Sequence, residues 1–269
     1  MLKDLEENSI DLSEKPNSHL LVLGRSGAGK TYFACRKVEE EIEKGKRIFI
    51  FDYSASYVLS ELEKNRFQYT NLVHILNPMK ENLCWNFSGR NIKNSLVDTL
   101  LRGLKIQSYY QKRLLREAVE KIFERDNLFS IPLLIKQLED IYFLKEDSES
   151  QKNIIHLLNR LEPFGEINEL IISYKKQELQ KENEKRLTII QLSDYPEIQR
   201  KFLTEFLAEL FWEEVKYGEK KADIVLFDEF QNMDIKRGSA LSAMLREGRK
   251  FGLSVYLSTQ FLGNYDEMI

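Results

Sequence analysis

Cysteine and histidine are scarce in this chain: there are two cysteines, Cys35 and Cys84, and three scattered histidines in 269 residues. They form no metal-ligand spacing, so a zinc site is not expected. With so few thiols no disulfide framework is indicated, and a reducing cytoplasm is the expected setting. Long apolar runs are missing too. None approaches the roughly 18 residues of a membrane helix, so direct membrane insertion is not expected. The opening MLKDLEENSI is acidic and polar, unlike a signal peptide. An excess of one charge is also lacking. Lys and Arg number 40 against 43 Asp and Glu, a net charge of −3, which removes the global basic signature of a nucleic-acid binder. A local basic surface remains open, because net charge averages over faces. No internal repeat or low-complexity tract is evident. What is present is 42% hydrophobic residues, enough for one large domain or two smaller ones.

Short continuous apolar runs mark buried strands at His19–Leu23, Arg47–Asp52, Val73–Leu76, Leu187–Leu192, Ala222–Phe227 and Leu253–Ser258. Helical spacing predicts a helix over Thr31–Glu43, closed by Gly45, and a long amphipathic helix over Glu197–Lys216. Strands alternating with helices imply a parallel α/β sheet. Between them the texture changes. Asn94–Leu104, Tyr109–Arg125, Ile131–Phe143 and Gln151–Leu161 have apolar spacing near the helical period, and Lys175–Arg186 is a charge run expected to be solvated. The expected organisation is a discontinuous core, 1–90 and 185–269, interrupted by a helical insertion over 91–184.

Residues 24–31 read GRSGAGKT and fit G-x-x-x-x-G-K-[ST] between a strand and a helix. Glycines let the backbone curl so that its N–H groups face phosphates. The helix that follows aims its positive end at the same anion. Gly24, Arg25, Ser26, Gly27, Ala28, Gly29, Lys30, Thr31 and Tyr32 are the nucleotide-binding candidates. Lys30 is expected to reach the β- and γ-phosphates of ATP, and the Thr31 hydroxyl to ligate Mg²⁺.

IVLFDE, residues 224–229, is an apolar strand ending in two acids, where ligands of open α/β sheets bind. Asp228 is placed to hold Mg²⁺, and Glu229 to polarise an attacking water, which argues for hydrolysis. Asp52, ending RIFIFD, is a lesser candidate that can equally be a structural strand end. Gln260 follows the last strand. An uncharged amide there can hydrogen-bond the γ-phosphate or the water without adding negative charge. Arg246 and Arg249 precede that strand, so they should lie far from their own subunit's phosphates. Two readings stand: an arginine finger or interface clamp facing a neighbouring subunit, or cations that suit a helix C-terminus. In the insertion Arg102, Lys105, Lys112, Arg113 and Arg116, with Tyr109 and Tyr110 among them, can contact nucleic-acid phosphate or form a solvated helix face. Met233–Arg237 is a second loop open to the first role, and Trp85 and Trp212 are expected in the core.

In order, GRSGAGKT, FDYSASY, RLTIIQLSDYPEIQRKF, IVLFDEFQNM and LREGRKFGLSVYLSTQ resemble the HerA/FtsK superfamily of P-loop ATPases, nearest to its HerA-like branch and to conjugation and type IV secretion ATPases. The resemblance spans most of residues 10–260. It implies a RecA-like fold and a hexameric ring that moves DNA or drives protein export. By position it makes Lys30 and Thr31 Walker A residues, Asp228 and Glu229 Walker B residues, and Gln260 the polar sensor. A membrane-complex or nuclease partner is a further expectation. Three functions follow: a DNA translocase, an ATPase energising macromolecular secretion, and a nucleotide-binding regulator or small-molecule kinase.

Overall fold

The computed structural model describes residues 18–80, 83–86, 92–125, 128–167, 170–173 and 185–261. Its centre is a six-stranded sheet. The strands are β1 (Leu20–Leu23), β2 (Ile48–Asp52), β3 (Val73–Leu76), β7 (Leu187–Gln191), β8 (Ile224–Phe227) and β9 (Ser254–Thr259). Their spatial order is β1-β9-β8-β2-β7-β3, and every pairing is parallel. All six C-terminal ends therefore meet at one edge. The central strands β2 and β8 read as apolar runs because helices cover both faces of the parallel sheet there.

Strand alternation divides the core. Ile48 and Ile50 of β2 turn toward helix α1 (Lys30–Glu43), whose Ala34, Cys35, Val38 and Ile42 are buried with them. Phe51 turns the other way with Phe227, the rings stacked at 4.8 Å, onto Phe211 of α7 (Glu197–Lys216). A short helix not anticipated from the sequence, α2 (Leu59–Lys64), follows β2.

Helix α7 is not the two-faced helix expected. It is buried along most of its surface, including Thr204, Glu209 and Glu214. The sheet lies on one side, and α3 (Ile92–Gly103) and α8 (Ala240–Glu247) pack on others. Its buried acids are paired: Glu209 accepts Arg102 at 2.8 Å and Glu214 lies 3.2 Å from Lys220.

Between β3 and β7 lie α3 (Ile92–Gly103), α4 (Tyr109–Arg125), α5 (Ile131–Leu144) and α6 (Ser148–Leu161). Side-chain caps start the last two: the Ser130 hydroxyl accepts the Leu133 N–H at 3.3 Å and Asp147 accepts that of Ser150 at 2.7 Å. The segment is not purely helical. Three short strands, β4 (Leu83–Asn86), β5 (Leu128–Phe129) and β6 (Leu170–Ser173), form a second sheet in the order β4-β6-β5. Runs of two to four residues are too short to show a period in sequence. The core of these helices is continuous with that of α7 and the main sheet. Of the charge run, residues 175–184 lie outside the described residues.

Candidate functional site

Strand β1 hands the chain to the glycine-rich loop at the shared C-terminal edge. The Gly24 N–H donates to the carbonyl of Thr259 at 3.3 Å, tying the loop to the end of β9. Gly27 and Gly29 take φ of 75° and 88°, the left-handed region that favours glycine. Gly29 caps α1 without a side chain, which leaves the helix's first N–H groups for an anion. A Cβ on Gly24 would meet Ala28 Cβ and Lys30 Cγ at 3.3 Å, so the loop curls tightly on itself. Lys30 Nζ donates to the Arg25 carbonyl at 3.3 Å, folded over its own loop. Arg25, Ser26, Ala28 and Tyr32 are exposed, and Thr31 is the second residue of α1. Tyr32 lies under the Arg36 guanidinium at 5.2 Å.

Two strands away, β8 is followed directly by Asp228 and Glu229, both buried. The Ser54 hydroxyl donates to Asp228 Oδ2, and the Asp228 N–H donates to the Phe51 carbonyl at 3.1 Å. Burial and the neighbouring Glu229 push the Asp228 carboxyl up to about 6. Asp52, at the end of adjacent β2, is completely buried. It accepts the N–H groups of Ser56 and Tyr57 at 2.9 and 3.1 Å, which folds residues 53–57 into the turn that carries Ser54. Burial and then Asp228 push Asp52 up to about 7.

Glu229 has φ of 48°, unusual for a residue with a side chain. The turn swings its carboxylate toward β9. Its Oε1 accepts from Gln260 Nε2 at 2.8 Å, and its Oε2 accepts from Gln231 Nε2. Gln231 Oε1 in turn faces the hydroxyl of Thr259, a fully buried residue. Ser54 and Gln231 were not singled out in the sequence. Gln231 stands two residues beyond Glu229 in DEFQNM, and no spacing rule marks it.

Arg246, in the last turn of α8, and Arg249, just after it, are exposed at the N-terminal end of β9. Since β9 runs parallel to β1, with Leu23 beside Thr259, the two arginines lie at the edge opposite the loop. Of the basic stretch, Arg102 is paired with Glu209 and Lys112 with Asp98 at 3.2 Å, while Arg113 and Arg116 are exposed beside Tyr109 and Tyr110. Lys236 and Arg237 are exposed on the loop after β8. Trp85 and Trp212 are buried. No helix among the described residues is long and apolar enough to cross a membrane.

A phosphate-type loop at the C-terminal edge of a parallel sheet, with acids emerging two strands away, is the architecture of a RecA-like P-loop protein. More narrowly, residues 6–211 match the family described as Helicase HerA, central domain, and the chain belongs to that family. The match ends within α7, so the acids after β8 and the amides lie beyond it. Comparison with curated proteins gives no match. Among solved structures, VirB4 of Thermoanaerobacter pseudethanolicus superposes with a TM-score of 0.68 at 13% identity, covering 95% of this chain and 74% of that one. The bacterial conjugative coupling protein TrwBdeltaN70 gives 0.65 at 18% identity over 93% of this chain. TrwB in complex with ADP and Mg²⁺ gives 0.61 at 19%, also over 93%. This chain spans 63% and 65% of those two TrwB chains.

Proposed function

We propose that this chain is an ATP-hydrolysing motor of the HerA/FtsK type that moves DNA as a hexameric ring in the cytoplasm. The observation that carries the reading is the bond between Glu229 and Gln260 beside the glycine-rich loop: a base and a sensor amide joined where a γ-phosphate would lie. The backbone of residues 24–29, Lys30 and the N-terminus of α1 hold the phosphates. The structurally similar TrwB has been captured with nucleotide and Mg²⁺. The donors here suit that ion, because the Thr31 hydroxyl and the Asp228 carboxylate are hard oxygen ligands. Burial pushes the Asp228 carboxyl up, and no ion pair to it is seen among the described residues. Mg²⁺ would supply positive charge there and neutralise the phosphates.

Glu229 orients the water. The water oxygen bonds to the γ-phosphorus as the bond to the β,γ-bridging oxygen breaks. The electron pair leaves with ADP, and a water proton passes to Glu229. Glu229→Gln is expected to bind ATP and fail to turn it over, checked by nucleotide retention on a filter alongside phosphate release.

Arg246 and Arg249, at the edge away from their own loop, are the residues we assign to a neighbouring subunit's site. Tyr109 and Tyr110 with Arg113 and Arg116, and the Lys236–Arg237 loop, are the surfaces we assign to DNA. We read the segment between β3 and β7 as an insertion into the ATPase core, and a membrane-complex or nuclease partner as the source of targeting.

The deciding test is steady-state ATPase activity with and without double-stranded DNA, on material whose mass is read by light scattering. Strong DNA stimulation in a ring-sized species is the expected result. Turnover that ignores DNA and needs a membrane-complex partner would transfer the reading to secretion. A monomer that binds ATP without turnover would make the chain a regulator.

A further inference from the structure

We propose that Gln231 is a positioning residue for the general base: anchored on Thr259, it holds one carboxylate oxygen of Glu229 so that the other can take the water's proton. The role rests on the ATPase reading above. The two oxygens of Glu229 have different partners. Oε1 is bonded by Gln260, an exposed side chain one residue past β9 and beside the loop that begins at Gly24. Oε2 is bonded by Gln231, which is half-buried on the turn after β8. The first partner is exchangeable and the second is fixed.

The polarity of the Gln231 amide is set at both ends. Turned the other way, its oxygen would face Glu229 Oε2, acceptor against acceptor. With the N–H group on the carboxylate, the amide oxygen must face Thr259, whose hydroxyl supplies the proton. That hydroxyl has two acceptors in reach, Gln231 Oε1 and the Phe261 carbonyl at 2.9 Å, and one proton to give. It also accepts the Phe261 N–H at 3.2 Å. Thr259 thus touches both the amide that steadies the base and the backbone just beyond Gln260.

The arriving γ-phosphate is a stronger acceptor than a carboxylate already satisfied by two amides, and it draws the Gln260 N–H away. Oε1 is then free for the water. Without Gln231, the same exchange would leave Glu229 loose on a strained turn, and a misplaced base loses rate steeply.

The test is kcat and KM for ATP in the wild type, Gln231→Ala, Thr259→Val and the double variant, with thermal melts of each. Gln231→Ala is expected to lower kcat by about tenfold to a hundredfold with KM within about twofold, because the phosphate loop is untouched. Thr259→Val keeps the side-chain shape and is expected to lower kcat in the same sense. The double variant should lose clearly less than the product of the two single losses, since the two residues share one contact. Wild-type kcat in Gln231→Ala, or losses that multiply in the double variant, would overturn the role. Should Gln231→Ala not fold, an unchanged kcat in Thr259→Val would overturn it alone. A wild type that binds ATP and never hydrolyses it would instead overturn the motor reading, and this role with it.

Discussion

Replacing Asp52 by Asn should stabilise the nucleotide-free protein at pH 8 and do almost nothing at pH 5. Asp52 is fully buried, faces Asp228 on the adjacent strand, and ionises only near pH 7 instead of 3.8. Its ionisation in the folded chain is therefore about a thousandfold less favourable than in the unfolded chain, roughly 4 kcal/mol above pH 7. The sign follows from proton counting. Between pH 3.8 and 7 the folded state holds the Asp52 proton and the unfolded state does not, so stability falls as pH rises through that window. Asparagine has no proton to lose, but its NH₂ group cannot accept where the acid's hydroxyl oxygen can, so one of the bonds from the Ser56 and Tyr57 N–H groups is lost, about 1–2 kcal/mol. The balance at pH 8 is a gain of roughly 2 kcal/mol, and it shrinks to about zero by pH 5. The assay is urea unfolding of both proteins at several pH values in EDTA, without nucleotide. A difference between variant and wild type that stays constant with pH would refute the reasoning, because Asp52 would then ionise at its ordinary value.

Lys30→Ala should weaken ATP binding by at least about tenfold, by removal of a charge-assisted phosphate contact, in titrations with a fluorescent ATP analogue. Its unfolding midpoint without nucleotide should barely move, because Lys30 bonds its own exposed loop. Gly248→Ala should destabilise by about 1–3 kcal/mol in thermal melts. Its new Cβ would stand 2.7 Å from the Leu253 carbonyl, whose own residue is tied back to Gly248 by an N–H bond of 2.9 Å. Nucleotide affinity should be unaffected, since that turn lies at the opposite edge of the sheet.

The elements that were legible in the sequence are those whose signal is local. The IFIF of β2 and the IVLF of β8 read as strands because both faces of the sheet are covered there, so every one of those positions is apolar. GRSGAGKT reads as a phosphate loop because the glycine conformations and the helix start lie within eight residues. What escaped depends on partners distant in sequence. Helix α7 looked two-faced because its buried Glu209 counts as polar, and its partner Arg102 is 107 residues away. The basic stretch looked freer than it is because Glu209 and Asp98 neutralise part of it. Gln231 carries no signal of its own, because nothing in DEFQNM says that the chain doubles back at Glu229 or that Thr259, 28 residues on, lies across from it. This division has a physical cause. Holding a phosphate needs backbone N–H groups from one continuous turn, which a short motif can specify alone. Orienting a base against the γ-phosphate needs groups that sense different strands, so its residues must come from separate segments that only the folded sheet brings together.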